Sequence, residues 1–293
     1  MQYIGRFAPS PTGKLHIGSL LCAVASFLDA KSMNGKWLVR IEDLDLPRTV
    51  AGASDDILHT LEAFNLYWDE SVVYQSHRHH LYQQALDVLR SKDLIYPCFC
   101  SRKEIKEQGR LGLDGVVYYG KCRQYAQLDN HKTPSYRIKT MDKTIEFDDL
   151  IVGKYSQNLF KDIGDFVLLR ADKQWAYQLA VVVDDSLQGV NRIVRGQDLL
   201  VSTPRQIYLL ESLNLPIPQY AHLPLLLNQQ GQKLSKQTLA PELNIKHKID
   251  LLKQVLVYLN LPNDMPDENC EGLLSWAVEN WDIKRVPTKA IKV

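Results

Sequence analysis

The chain lacks several features that would place it in a large protein class. No apolar run approaches the ~20 residues needed to cross a bilayer. The N-terminus, MQYIGRFAPS, has no basic-then-apolar-then-small pattern, so no secretory signal is visible. Both absences argue for a cytoplasmic protein without a membrane partner. Charge of one sign is lacking too: 35 Lys and Arg face 34 Asp and Glu, for a formal net charge of +1. That balance neither demands nor excludes a nucleic-acid partner, because a basic face can sit inside a neutral total. There is no GxGxxG and no GxxxxGKS/T, which excludes the Rossmann dinucleotide fingerprint and the P-loop. Internal repeats and low-complexity segments are absent. Cysteine is scarce: there are five, an odd number, and Cys98, Cys100 and Cys122 cluster. In a reducing compartment such a cluster suggests a metal before it suggests disulfides.

What is present is an ordinary globular composition, 45% hydrophobic and 24% charged over 293 residues. That length suits one large domain, or a main domain with one insertion. Residues 3–7 read as a short strand, after which Pro9, Pro11 and Gly13 turn the chain. HIGSLLCAVASFLDAK, from 16 to about 31, is rich in helix formers and is stopped by Gly35. KWLVRIED is a buried strand, and Ser54 offers an N-cap for a helix running to about 64. A further helix covers about 77–91. This alternation predicts α/β architecture, a parallel sheet with crossover helices.

The rhythm breaks at IYPCFCSRKE. Residues 97–165 read as an inserted mixed α+β subdomain, with a capping-box helix from Ser101 to Glu104 and hairpin-like runs SYRIKT and TIEFDDLIVG. The alternation resumes with DFVLLRADKQWAYQLAVVVDD and NRIVRGQDLL, and Ser202, Thr203 and Pro204 cap the helix carrying RQIYLLESL. HLPLLLN is a last strand and QQGQKLSKQ a polar loop. From about 241 the chain is helical, with amphipathic spacing in IDLLKQVLVYL and EGLLSWAVENW. The expected division is 1–96 and 166–240 for the two halves of the main domain, 97–165 for the insertion and 241–293 for a helical C-terminal part.

The stretch RFAPSPTGKLHIGS places a strand, a stiff turn and a helix start in series. A helix N-terminus exposes unpaired N–H groups and a partial positive charge, so the arrangement attracts phosphates. His16 can donate to a phosphate oxygen, and Gly18 lets a flat base approach the backbone. The simpler alternative is that His16 caps the helix and Gly18 relieves crowding. KLSKQ, with Lys233 and Lys236 three apart, is by itself a solvated polar loop.

Together, HIGS and KLSKQ resemble the paired HIGH and KMSKS motifs of class I aminoacyl-tRNA synthetases. Ser19, Leu234 and Gln237 depart from those patterns, as they do in the glutamyl branch. RFAPSPTGKLHIGSL, LVRIEDLD, WAYQLAVVVDD and RIVRGQDLL resemble glutamyl-tRNA synthetase blocks in the same order, up to about residue 237. The resemblance implies a Rossmann-like catalytic domain and a two-step reaction. The α-carboxylate of L-glutamate attacks the α-phosphate of ATP, and the activated acyl group then passes to tRNA. It implies His16, Gly18, Lys233 and Lys236 for ATP, with His16 and Lys236 catalytic, and Mg²⁺ arriving with the nucleotide. Arg6 and Arg195 would face the carboxylates of glutamate, Glu42 its ammonium, and Ser10 and Tyr177 would add hydroxyl contacts. A plain alternative is that Arg6 and Glu42 form a buried ion pair between neighbouring strands.

CFC puts Cys98 and Cys100 on one side of an extended segment, and Cys122 follows in VYYGKC. Closed zinc sites take four ligands, which leaves one place among Tyr118, Tyr119 and His131; buried reduced cysteines are the alternative. Cys22 and Cys270 read as packing residues. A short branch of the synthetase family, the glutamyl-queuosine enzymes, carries C-x-C and then Y-x₃-C with tyrosine as a ligand, which implies Cys98, Cys100, Tyr118 and Cys122 around one Zn²⁺. Only 56 residues follow Gln237, too few for the anticodon-gripping helical domains of a full glutamyl-tRNA synthetase. In the short branch glutamate is activated without tRNA and transferred to the queuosine base of tRNA(Asp). Three rivals remain: a shortened enzyme charging the 3′ end of tRNA(Glu), a nucleotidyltransferase of the same superfamily, and a degenerate tRNA-binding regulator.

Overall fold

The computed structural model describes residues 2–124, 132–234 and 241–293. Its first unit is a β–α–β crossover. Strand β1 (Ile4–Phe7) leads through the proline turn to helix α1 (Ile17–Ser32), and strand β2 (Lys36–Ile41) returns parallel to β1, with Arg6 opposite Leu38. Every residue of α1 from Leu20 to Ala30 except Cys22 is buried, as expected for a helix apolar all round. Trp37 on β2 lies fully buried, its ring stacked on Phe7 and edge-on to Phe27, with its indole N–H donated to Ser26 Oγ at 2.9 Å.

Helix α2 (Ala53–Ala63), strand β3 (Val73–Tyr74) and helix α3 (His79–Ser91) complete the first half, with β3 parallel to β2. The N-cap of α2 is Gly52 rather than Ser54, because the chain turns through a left-handed φ of 78° at that glycine and helical geometry begins at Ala53.

Strand β4 (Ile95–Cys98), helix α4 (Arg102–Gln108), the hairpin β5 (Arg110–Gly112) with β6 (Gly115–Val117), and helix α5 (Lys121–Gln124) follow. The capping box on α4 is present, Ser101 Oγ accepting from Glu104 N–H and Glu104 from Ser101 N–H. Strand β7 (Ser135–Ile138) forms no hairpin with its successor. It is the middle of an antiparallel sheet between β4 and a later strand, β10. Strand β8 (Thr144–Asp149) does form a hairpin with β9 (Gly153–Asn158). Its last residue, Asp149, pairs with Tyr220 of the main sheet, so segment 97–165 is tied directly into that sheet.

Helix α6 (Leu159–Asp162), strand β10 (Val167–Leu169), helix α7 (Tyr177–Leu187), strand β11 (Arg192–Gly196), helix α8 (Thr203–Leu213) and strand β12 (Gln219–Leu223) form the second half. β11 and β12 are parallel, and β11 runs beside β1, where Asn191 N–H donates to Ile4 C=O and Ile4 N–H to Asn191 Oδ1, each at 3.0 Å. The spatial order is therefore β3-β2-β1-β11-β12-β8-β9. The run HLPLLLN is split by Pro224 into β12 and β13 (Leu226–Leu227). Helices α9 (Lys248–Tyr258) and α10 (Cys270–Glu279) pack on α1, and the tail returns as strand β14 (Ile291–Lys292) beside β13, an element with no sequence signal. Among the described residues no helix is long and apolar enough to cross a membrane.

Successive strands are added outward on opposite sides of the β1–β11 junction, β2 and β3 on one side and β12 on the other, and ligands of open α/β sheets bind beyond the carboxyl ends of the strands at such a switch in strand order. The segments that leave those ends include predicted site residues, Ser10 and His16 within 8–16 after β1 and Glu42 after β2, together with Asp198 after β11 and Pro224 after β12, which the sequence does not single out.

Candidate active site

A cleft of about 690 Å³ opens at that edge. Arg6, Ser10, His16, Gly18, Glu42, Tyr177, Arg195 and Lys233, eight of the predicted residues, all line it. Lys236 lies outside the described residues, as does His131. Leu234 of KLSKQ lines the same cleft, and a Cβ on Gly18 would stand 3.8 Å from its carbonyl oxygen. The described start of KLSKQ thus meets HIGS across more than two hundred residues of chain.

His16 is the N-cap of α1. Its Nδ1 accepts from the N–H groups of Gly18 at 3.1 Å and Ser19 at 3.3 Å. Those two helix N–H groups are therefore spent on the ring rather than left for a phosphate. The cap also sets the tautomer: with Nδ1 accepting, the neutral ring carries its proton on Nε2, which is a donor. Capping through Nδ1 therefore leaves the ring chemically able to donate through Nε2. A Cβ on Gly18 would lie 3.0 Å from His16 Cε1 and 3.1 Å from Nδ1, so the neighbour that a side chain there would crowd is the capping ring itself. Lys233 Nζ pairs with Asp198 Oδ2 at 2.7 Å at the rim.

The charged floor is built from both halves of the sheet. Arg6 does not pair with Glu42. It donates through Nε and Nη2 to Asp185 on α7, at 3.0 and 3.3 Å. Glu42 instead accepts from Arg40 Nη2 at 3.1 Å, and Arg40 Nη1 reaches Asp185 at 2.8 Å. Arg78 closes the set on Asp184 at 2.6 Å, so three guanidiniums balance Glu42, Asp184 and Asp185. Arg6 takes its partner from α7, whereas Arg40 is shared between Asp185 on α7 and Glu42, which lies two residues along its own chain segment and so on the same face. Burial pushes the Glu42 carboxyl above its usual range against the pull of Arg40 and Arg6. Burial acts on Asp185 too, but Arg40 and Arg6 outweigh it and hold that carboxyl low. Arg195, on β11, donates through Nε to His222 at 3.1 Å and through Nη2 to Thr203 Oγ1 at 2.9 Å. Its Nη1 is buried with no hydrogen-bond partner. An orphaned buried donor is costly, and a carboxylate in the cleft would satisfy it.

The cysteines converge away from the cleft. The sulfurs of Cys98, Cys100 and Cys122 lie within 4.8 Å of one another. Tyr118 Oη accepts from Cys122 N–H at 2.8 Å, lies 3.4 Å from Cys100 Sγ, and contacts the other two thiols as well. Tyr119 Oη reaches only Cys100 among these sulfurs, at 3.6 Å. Burial raises the Cys122 thiol, but hydrogen bonds from Tyr118, the Phe99 N–H and the other thiols outweigh it and hold it below its usual value. Cys22 borders the cleft with its thiol pushed by burial up to about 12, which makes it a packing residue. Cys270 is buried.

A family model, tRNA synthetases class I (E and Q), catalytic domain, matches residues 4–259. The chain is 60% identical over 292 residues to a glutamyl-Q tRNA(Asp) synthetase of Neisseria meningitidis serogroup C, covering 99% of each chain. It is 51% identical over 294 residues to one from Chromobacterium violaceum, covering 99% of this chain and 97% of that one. The chain belongs to the glutamyl-Q tRNA(Asp) synthetases. Members of this family are class I synthetase-type ligases, so the chain is an enzyme of that class. A crystal structure of a glutamate tRNA ligase from Elizabethkingia meningosepticum in complex with its amino acid has the same fold, with a TM-score of 0.84 at 24% identity over all of this chain and 67% of that one.

Sequence reasoning about this glutamyl-Q family member missed Arg40, Asp184 and Asp185, the partners that hold Arg6 and Glu42, and Asp149, Thr203 and His222, which surround Arg195. A signal existed for the first three. Arg40 interrupts the buried run KWLVRI, and the two aspartates end the apolar run AVVV. A charge inside an apolar run is seldom buried without a partner.

Proposed function

We propose that the cleft activates L-glutamate with ATP, without tRNA, to glutamyl-adenylate, and transfers glutamate to the queuosine base of tRNA(Asp). The observation that carries the first step is the meeting of HIGS with Lys233 and Leu234, the described start of KLSKQ, at one cleft that also holds the orphaned guanidinium nitrogen of Arg195. Arg195 and Arg6 face the carboxylates of glutamate and Glu42 its ammonium, with Ser10 and Tyr177 adding hydroxyls. Arg6 contributes through Nη1, since Asp185 occupies the rest of its fork. The α-carboxylate oxygen attacks the α-phosphorus, the bond to the bridging oxygen breaks, and pyrophosphate leaves. His16 Nε2–H donates to a phosphate oxygen as negative charge builds, while Lys233 and Lys236 neutralise the leaving group. Gly18, having no side chain, leaves the His16 ring its room. Mg²⁺ arrives with ATP. In the second step a nucleophile on queuosine attacks the glutamyl carbonyl carbon and AMP departs.

Three thiols within 4.8 Å of one another, with a phenol oxygen 3.4 Å from one of them, suit tetrahedral zinc, which favours sulfur with one further ligand. Cys98, Cys100, Cys122 and Tyr118 would hold one Zn²⁺. The ion would supply structural cross-linking between β4 and α5.

Incubating the enzyme with ATP, labelled glutamate and total tRNA tests the reading. Nuclease mapping should place the label in the anticodon loop, and tRNA lacking queuosine should accept none. Label at the 3′ end would favour the shortened tRNA(Glu)-charging enzyme. Pyrophosphate exchange that ignores glutamate would favour a nucleotidyltransferase, and tRNA binding without exchange a regulator.

A further inference from the structure

Arg195 is held by a chain of groups that crosses three strands. Arg195 on β11 and His222 on β12 are register partners, and Asp149 ends the neighbouring strand β8. His222 Nε2 accepts from Arg195 Nε, so the ring proton sits on Nδ1 and is donated to Asp149 Oδ2 at 2.6 Å. Asp149 Oδ1 is saturated by three backbone N–H groups, of Ile151 at 3.0 Å, Val152 at 2.9 Å and His222 at 3.1 Å. Thr203, at the start of α8, touches both His222 Nε2 and Arg195 Nη2. His222 is fully buried, and Tyr220 stacks beneath it and beneath the guanidinium.

We infer that His222 and Asp149 are positioning residues for glutamate binding, which hold the Arg195 fork through a neutral imidazole and leave Nη1 and the full positive charge for a substrate carboxylate. This rests on the reading of Arg195 as a glutamate ligand. The intervening ring is the point of the device. A carboxylate placed directly on Arg195 would cancel its charge and compete with the substrate. A neutral acceptor fixes the orientation without that cancellation, and the distant Asp149 fixes the tautomer of the acceptor.

The test is Asp149→Asn, an isosteric change. The asparagine oxygen stays with the three backbone N–H groups, so its NH₂ faces His222 Nδ1. The ring proton is then driven to Nε2, where it meets the Arg195 Nε–H donor to donor, a wrong-tautomer effect known from catalytic triads. KM for glutamate in tRNA-independent pyrophosphate exchange should rise roughly ten- to a hundredfold, with KM for ATP unchanged. His222→Gln, whose carbonyl can accept from Arg195 without a tautomer to set, should stay within a few-fold of wild type and should be insensitive to adding Asp149→Asn. A folded Asp149→Asn with unchanged KM for glutamate, or one whose two KM values rise together, overturns the inference. If Asp149→Asn does not fold, His222→Leu set beside His222→Gln decides: KM for glutamate raised in the first, which has no acceptor for Arg195, and not in the second supports the inference, and equal values in the two overturn it. Arg195→Lys run in parallel separates the two layers. If it leaves KM for glutamate unchanged, the ligand reading has failed. If it raises KM while Asp149→Asn does not, only the positioning role has.

Discussion

Replacing His16 by asparagine separates the two jobs of its ring. The cap consists of two bonds to Nδ1, from Gly18 N–H at 3.1 Å and Ser19 N–H at 3.3 Å. Asparagine is among the best N-caps, and its amide oxygen can take the place of Nδ1. Even complete loss of a cap costs only ~1 kcal/mol, which in a domain of this size lowers Tm by about 2–4 °C. With asparagine the shift should be smaller still. The donor on Nε2 has no equivalent in the shorter amide. Losing one preorganised donor to a developing negative charge costs about 2.7–4 kcal/mol, a hundred- to a thousandfold in rate. The variant should therefore melt within about 2 °C of wild type and lose glutamate-dependent pyrophosphate exchange by two to three orders of magnitude, about the stated scale. Thermal unfolding and exchange kinetics on the same preparation measure both. Exchange within a few-fold of wild type would refute the reasoning and leave His16 as a cap alone. A matched fall in stability and activity would refute it differently, by showing that the cap cannot be replaced.

Lys236→Ala should lower glutamate activation by about a hundredfold; an unchanged exchange rate removes Lys236 from the pyrophosphate role. Protein purified without chelators should carry one zinc per chain by metal analysis. Tyr118→Phe should lose metal readily to a weak chelator and Tyr119→Phe should not, since only Tyr118 contacts all three thiols; the reverse order would assign the fourth ligand to Tyr119. Burial, together with the Arg195 charge, holds the His222 pKa below its ordinary value against the pull of Asp149. Below about pH 6.5 the unfolded chain binds a proton that the folded chain refuses. Stability should therefore fall on acidification from that point by at most ~1.4 kcal/mol per pH unit, and Tm measured against pH should show a weaker slope in His222→Gln. Equal slopes would show that His222 does not titrate on unfolding. Gly18→Ala should reduce exchange by crowding the His16 ring at 3.0 Å, and retained exchange would show that the ring gives way freely.

The elements that could be read from the chain alone are those whose signal is local. Helix α1 follows from an unbroken run of helix formers after a cap, α4 from its capping box, and α9 and α10 from apolar spacing. The beginning of α2 was misplaced because a glycine in left-handed geometry, not the nearby serine, starts it. β14 was invisible because a two-residue strand has no period to read and exists only through its pairing with β13.

The sequence by itself determined the α/β alternation, the HIGS and KLSKQ segments and the candidate thiols, since each is a pattern or spacing along the chain that needs no tertiary contact to be read. Tertiary structure alone decided the partners of the charged groups. Arg40 meets Asp185 across 145 residues of chain, and Arg195 meets His222 across 27 and Asp149 beyond it. Whether Arg6 pairs with Glu42 or with Asp185 depends on which carboxylate the helix crossing brings within 3 Å, and Coulomb attraction and desolvation both act at that range. A linear sequence lists the charges. Only the fold sets the distances between them, and those distances decide which nitrogen of Arg195 is left without a partner.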